Sequence, residues 1–188
     1  MHLLSCKKKL VDSGLLGRKS GKGFFEYGEQ IENATAQNAQ QTSAPDSVVL
    51  EGPEHLPESL RKLLEGGSVS IKNYAGNGYI RLPEGAIVVP ANGRRSTERS
   101  AEIGQSVISL DLCLDYERSS RIVLAPSLEC SEQNLQQAVG LFQSLGKHVS
   151  VIKDIAGMVL TRTVAMLANE ASLIVQEEVA DIAAVNLA

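Results

Sequence analysis

From residue 47 the chain alternates short apolar runs with stretches whose leucines recur every three or four positions. "SVVLEG" (47–52), "VSIKNY" (69–74), "GAIVVPA" (85–91), "VISLDL" (107–112), "RIVLAPS" (121–127) and "HVSVIKD" (148–154) are short, rich in β-branched residues and bounded by turn formers, and are predicted as strands. Between them, "PEHLPESLRKLLEGG" (53–67) places Leu56, Leu60, Leu63 and Leu64 at helical spacing before a Gly-Gly stop. "SEQNLQQAVGLFQSLGK" (131–147) repeats the pattern with Leu135, Val139 and Phe142 on one face, Ser131 as N-cap and Gly146 past the end. Strands alternating with amphipathic helices predict an α/β domain over 47–154, a largely parallel sheet with flanking helices.

The ends differ. Leu160, Val164, Leu167, Ala171, Ile174 and Val175 trace one long helical stripe. Such a stripe cannot bury itself, so 155–188 is expected to open an all-α domain, cut where the sequence stops in helix-like residues without a C-cap signal. Residues 1–12 read as a short helical end carrying Leu3, Leu4, Leu10 and Val11, stopped at Gly14. Gly17, Gly21 and Gly23 then permit a tight course, and Phe24, Phe25 and Tyr27 are expected to pack back on what precedes them. Residues 28–46 hold few large apolar groups, end in Ala-Pro-Asp and read as a linker.

Composition narrows the function. Aromatics are 4% of 188 residues and Trp is absent, so the core must be aliphatic. A net charge of −4 gives no basic footprint for nucleic acid; the cations at Lys7–Lys9 and Arg18–Lys22 are local. Cys6, Cys113 and Cys130 form no CxxC pair, which suits neither a disulfide framework nor a metal site and points to a reducing cytoplasm. "MHLLSCKKKL" lacks the order of a signal peptide, and no apolar run approaches the ~18 residues of a membrane span, so no membrane partner is expected.

A sheet of this kind suggests a nucleotide crevice at the first strand-to-helix turn. That turn reads "LEGPEHLPES": one glycine, Gly52, then Pro53 without an amide donor, with Glu51, Glu54 and Glu58 around the helix start. The carboxylates suit the helix dipole and repel phosphate, so no dinucleotide site is expected. "YAGNGY" (74–79) reads as a turn, and "GRKSGKG" lacks the spacing of a phosphate loop. His2, His55 and His148 have no partner at a suggestive spacing. Asp111, Asp115 and Glu117 read as a solvated strand end, and Asn169 and Glu170 as buried polar residues of the long helix. Arg94, Arg95 and Arg99 read as a charged helix start with Glu98, or alternatively as a site for an acyl-CoA or another anion.

Two stretches together resemble the L-3-hydroxyacyl-CoA dehydrogenase family. "GLLGRKSGKGFFEY" is similar, at Gly14, Gly17, Arg18, Lys19, Ser20, Gly21, Gly23, Phe24 and Tyr27, to the signature that closes the family's helical domain. "LGKHVSVIKDIAGMVLTRTVAMLANEA" is similar, at Leu145, Gly146, Lys147, Asp154, Gly157, Met158, Val159, Arg162, Asn169, Glu170 and Ala171, to the junction between its nucleotide and helical domains. The order implies the tail of a helical domain (1–27), a linker (28–46), a degenerate second Rossmann-like domain (47–154) and the truncated start of a second helical domain (155–188).

The resemblance implies a parent enzyme that oxidises 3-hydroxyacyl-CoA to 3-oxoacyl-CoA with NAD, as in fatty-acid degradation. The family's catalytic acid position falls on Leu124, its histidine on Leu112 and a substrate-site asparagine on Thr161. A leucine neither takes nor gives a proton. This segment is therefore expected to have no catalytic, cofactor-binding or metal residues, and to associate with itself or with the parent's catalytic unit through 156–187.

Overall fold

The structure, a computed structural model, describes residues 8–23, 25–27 and 36–187. These divide between two compact units, Met1–Ala36 and Gln37–Ala188. In the first, residues 8–12 are helical and Arg18–Ser20 form a 3-10 turn. Gly17 and Gly21 take φ of 72°, and a Cβ on Gly23 would lie 2.8 Å from the Gly17 Cα, so the loop closes only because Gly23 has no side chain. The Ser20 hydroxyl accepts from the Leu16 amide at 2.7 Å and donates to the Lys22 carbonyl at 2.8 Å. Tyr27 folds back beneath the Arg18 guanidinium, 5.9 Å from the ring centre. Phe25 is exposed, and Phe24 lies outside the described residues.

The second unit is a seven-stranded sheet with helices on both faces. Its strands are β1 (Ser47–Glu51), β2 (Ser70–Tyr74), β3 (Tyr79–Arg81), β4 (Ile87–Pro90), β5 (Val107–Leu110), β6 (Arg121–Pro126) and β7 (His148–Val151). Its helices are α1 (Glu58–Glu65), α2 (Ser96–Ile103), α3 (Glu132–Ser144), α4 (Leu160–Gln176) and α5 (Ile182–Leu187). The spatial order is β2-β1-β3-β4-β5-β6-β7. Three βαβ units, β1-α1-β2, β4-α2-β5 and β6-α3-β7, supply the parallel pairs, because a parallel neighbour needs a crossover. The joins between these units, β1/β3, β3/β4 and β5/β6, are antiparallel. The expected α/β, Rossmann-like fold is present, its parallel pairs interleaved with antiparallel joins.

Right-handed crossovers dictate the layers. β1 to β2 and β6 to β7 step in opposite directions along strands of opposite sense, which sends α1 and α3 to one face and α2 to the other. The burial follows. Leu60 and Leu64 of α1 and Ala138, Val139, Leu141 and Phe142 of α3 share the larger core with Leu50, Val88, Ile108, Leu110, Ile122 and Leu124. The alternate residues Ile87, Val89 and Val107 face α2 and its Ile103.

Four expectations are corrected. α1 starts at Glu58 rather than Pro53: Pro53–His55 make a separate 3-10 turn, and Pro57, extended at ψ 133°, blocks continuation. β3 was not foreseen; its three residues are too few for a periodic signal and are held between β1 and β4. The last helix breaks at 177–181, where Glu178 takes φ of 57° and the Asp181 carboxylate accepts from the Ala184 amide at 2.7 Å, capping α5. Residues 37–46 are no free linker but lie on α3 and β7 (below), whereas 28–35 fall outside the described residues.

Phe142 is fully buried between α3 and the sheet. Phe142→Ala should cost about 3–5 kcal/mol of unfolding free energy, read from the urea midpoint at constant slope; a loss under ~1 kcal/mol would mean that α3 does not seat here.

Candidate functional site

The turn after β1 is where a dinucleotide fold would receive a pyrophosphate. Gly52 has φ of 67°, and its amide donates to the Tyr74 carbonyl at 2.7 Å. The Gly78 amide donates to the Glu51 carbonyl, also at 2.7 Å. A Cβ on Gly52 would sit 2.2 Å from the Gly76 carbonyl oxygen, and one on Gly76 would sit 2.6 Å from Glu51 Cβ. The loop Ala75–Gly78 thus lies against the turn. The turn's glycine serves contact with the protein's own backbone. Glu51, at the strand end, is paired with Arg81 at 2.6 Å.

The chain's own carboxylates cap the two helix N-termini around the junction to α4. Asp154 accepts from the amides of Ser96 (2.7 Å) and Thr97 (2.9 Å) at the start of α2. Burial alone would raise its pKa and is the largest single influence, but the hydrogen bonds from Thr97 and Ser96 together outweigh it and hold the carboxyl below its ordinary value. Asp111, buried after β5, accepts from Val159 (3.1 Å) and Leu160 (3.0 Å) at the start of α4, and from its neighbour Leu112 at 2.9 Å. Tyr116, its phenol pushed up by burial and by neighbouring Cys113 and Asp111, donates to the Asp111 carbonyl at 2.8 Å. Between the caps, Met158 takes φ of 45° and is buried against Ala91 and Ala125. Lys147 donates to the carbonyls of Glu117 (2.7 Å) and Ser119 (2.8 Å). The junction motif therefore reads physically as a joint, in which Lys147 ties the chain to the β5–β6 loop, Asp154 to α2 and Met158 to the sheet.

The remaining sequence candidates do not converge. Arg94 binds Glu102 through two bonds of 2.7 and 2.6 Å, with Glu98 at 3.8 Å. Arg99 donates to the Pro90 carbonyl at 2.8 Å, and burial lowers its pKa. Only Arg95, with Lys153, flanks a cleft of about 560 Å³, and Glu98 and Asp154 line the same cleft. His55 lies 3.7 Å from Glu54 on the surface, His148 is exposed, and His2 lies outside the described residues. Asp115 accepts from the Glu117 and Arg118 amides, a local turn. Asn169 and Glu170 are exposed on α4, not buried as expected, because no residue of that helix is buried among the described ones. Cys130 is half-buried, its thiol pushed up to about 11 by burial. Among the described residues no cluster of His, Cys, Asp and Glu could hold a metal. Leu124 is fully buried in β6 and Leu112 partly exposed, and the Thr161 hydroxyl has no partner among the described residues.

Residues 88–155 match the family model of the 3-hydroxybutyryl-CoA dehydrogenase reduced Rossmann-fold domain. That match covers this domain alone, 68 of the 188 residues. Among solved structures, 3-hydroxybutyryl-CoA dehydrogenase from Escherichia coli K12 is similar over 93% of this chain and 31% of its own, with 22% identity and a TM-score of 0.63. (S)-3-hydroxybutyryl-CoA dehydrogenase from Ralstonia eutropha is similar over 63% of this chain and 47% of its own, at 17% identity and a TM-score of 0.46. The first supports the Rossmann-like fold, and the chain spans about a third of that structure's length. No curated protein sequence matches the chain.

The residues present do not fit a dinucleotide. The glycine turn is closed by the 75–78 loop, and the α2 N-terminus carries Asp154 where a phosphate would need open amides. The caps make a pH prediction. A carboxyl whose folded pKa is depressed contributes stability that is fully present above the unfolded value, ~3.9 for Asp, and is lost as pH falls through the folded one. Unfolding free energy should therefore fall more steeply below about pH 4 in the parent protein than in Asp154→Asn. Parallel acid limbs in urea titrations would contradict this.

Proposed function

We propose that the chain is the C-terminal portion of an NAD-dependent L-3-hydroxyacyl-CoA dehydrogenase, a cytoplasmic enzyme that oxidises 3-hydroxyacyl-CoA to 3-oxoacyl-CoA in acyl-CoA degradation. In this reading the segment is non-catalytic. The observation that carries it is the pairing of a family domain at 88–155 with a glycine turn closed by its own loop. The expected positions of the catalytic pair support it: they are Leu112 and Leu124, neither of which exchanges a proton. The Rossmann-like body serves as a scaffold, and α4 serves as a docking surface for a second copy or for the catalytic unit of the parent enzyme.

Several side chains support the docking role. Val164, Leu167 and Ile174, which share one face of α4, are 54%, 65% and 37% exposed, an apolar stripe of the kind that marks an interaction surface. A second reading, an α/β module that binds an acyl-CoA or another anion near Arg94–Arg99, rests on Arg95 and Lys153 beside their cleft. It competes with Glu98 and Asp154 in the same place.

Purified protein should bring no saturable heat with NADH and no NADH oxidation with acetoacetyl-CoA. Turnover would overturn the scaffold reading, and calorimetric binding of CoA esters lost in Arg95→Ala would favour the second one. In light scattering the protein should be larger than a monomer, and Leu167→Glu should shift it toward the monomer. A strictly monomeric parent would remove the docking role.

A further inference from the structure

Residues 37–46 lie across α3 and the outer edge of β7, the last strand of the sheet. The Ala39 amide donates to the Val149 carbonyl at 2.7 Å, and the Ser150 hydroxyl donates to the Gln37 carbonyl at 2.7 Å. The Arg121 guanidinium reaches the Asn38 side chain at 2.7 Å. Farther along, Gln143 of α3 grips the segment from both ends of its amide. Its oxygen accepts from the Thr42 amide at 2.9 Å, and its nitrogen donates to the carbonyls of Gln40 (3.0 Å) and Ala39 (3.4 Å). The Thr42 hydroxyl donates to the Gln136 carbonyl at 2.9 Å. A Cβ on Gly140 would stand 2.0 Å from the Ser43 carbonyl oxygen, so this glycine is what lets the segment lie flat on the helix.

We propose that residues 37–44 form a detachable strap that covers the β7 edge and opens as one unit while the sheet stays folded. The strap is hinged at the buried Pro45 and at Asp46, whose carbonyl accepts from the Ser70 amide. Polar contacts hold it: of its first six residues only Ala39 joins the apolar core, and only as a partly buried member. A cleft of about 230 Å³ lies beneath it, lined by Ala39, Leu135, Val139 and Val151, so the apolar contact is incomplete. A segment with few buried apolar contacts and many solvent-accessible hydrogen bonds opens at a free energy below that of global unfolding. Its closure matters because an uncovered edge strand offers unpaired backbone groups to another chain. The Ala39 amide occupies the Val149 carbonyl in place of such a partner.

Amide hydrogen exchange on the full chain tests this, with Gln143→Ala as the variant. That side chain touches the strap at Ala39, Gln40 and Thr42 but does not bond Ala39's own amide, whose acceptor is Val149. The Ala39 amide should nevertheless exchange at least tenfold faster in the variant, the factor equivalent to about 1.4 kcal/mol. Ile108 and Leu124, in the sheet interior, should keep their rates. Gly140→Ala, which pushes on Ser43, should give the same signature. An unchanged Ala39 rate in both variants would show that the segment is no cooperative unit, and equal acceleration of Ile108 and Leu124 would show that it does not open separately. Either result overturns the proposal. Light scattering reads the guarding role: Gln143→Ala should associate further with concentration than the parent, and equal association would refute it.

Discussion

The start of a helix presents amides with no intrahelical acceptor, and what satisfies them decides what this domain can bind. Here the answer is aspartate. Asp154 takes the first amides of α2, and Asp111 takes those at the start of α4. A carboxylate there satisfies both the hydrogen-bonding demand and the positive end of the helix dipole, the two things that would otherwise attract a phosphate. The β1 turn reaches the same end by a different route, with its glycine used to admit the loop Ala75–Gly78. Fixed contacts within the protein stand where a dinucleotide fold keeps its ligand contacts.

These same contacts build the joint. Asp154 lies on the stretch between β7 and α4 and reaches back to α2, whereas Asp111 lies after β5 and reaches forward to α4. Met158 plugs the gap between them on the face that α2 covers. Each cap therefore ties elements that are far apart in sequence, and removing either would free both a helix end and a chain segment. The contrast with α4 itself is sharp. Its first turn is anchored, yet none of its residues is buried.

Much of the sheet was legible because its signals are local. Six of the seven strands and the helix at 132–144 follow from apolar runs, caps and glycine stops within each segment, and Ser131 caps α3 as its position suggested. β3 was not legible, since "YIR" between two turns carries no periodicity and forms by pairing with strands on both sides. Nor was the role of Asp111 or Asp154 visible as a cap. The helix-start amides of Val159 and Ser96 lie 48 and 58 residues from Asp111 and Asp154, so no spacing rule points to them. Composition misled at 37–46, where a polar, aromatic-free stretch finds its partners on α3 and β7. Polar sequence is a signal for a linker only when no surface is waiting to bond it.

The central claim is that the glycine turn and both helix starts are satisfied internally and hold no open phosphate cradle. Amide chemical shifts of Gly52, Ser96, Thr97, Val159 and Leu160 during titration with NAD test it most directly. The account predicts that these five resonances stay in place throughout the titration. A saturable shift centred on Gly52 or on Ser96 and Thr97 would contradict it.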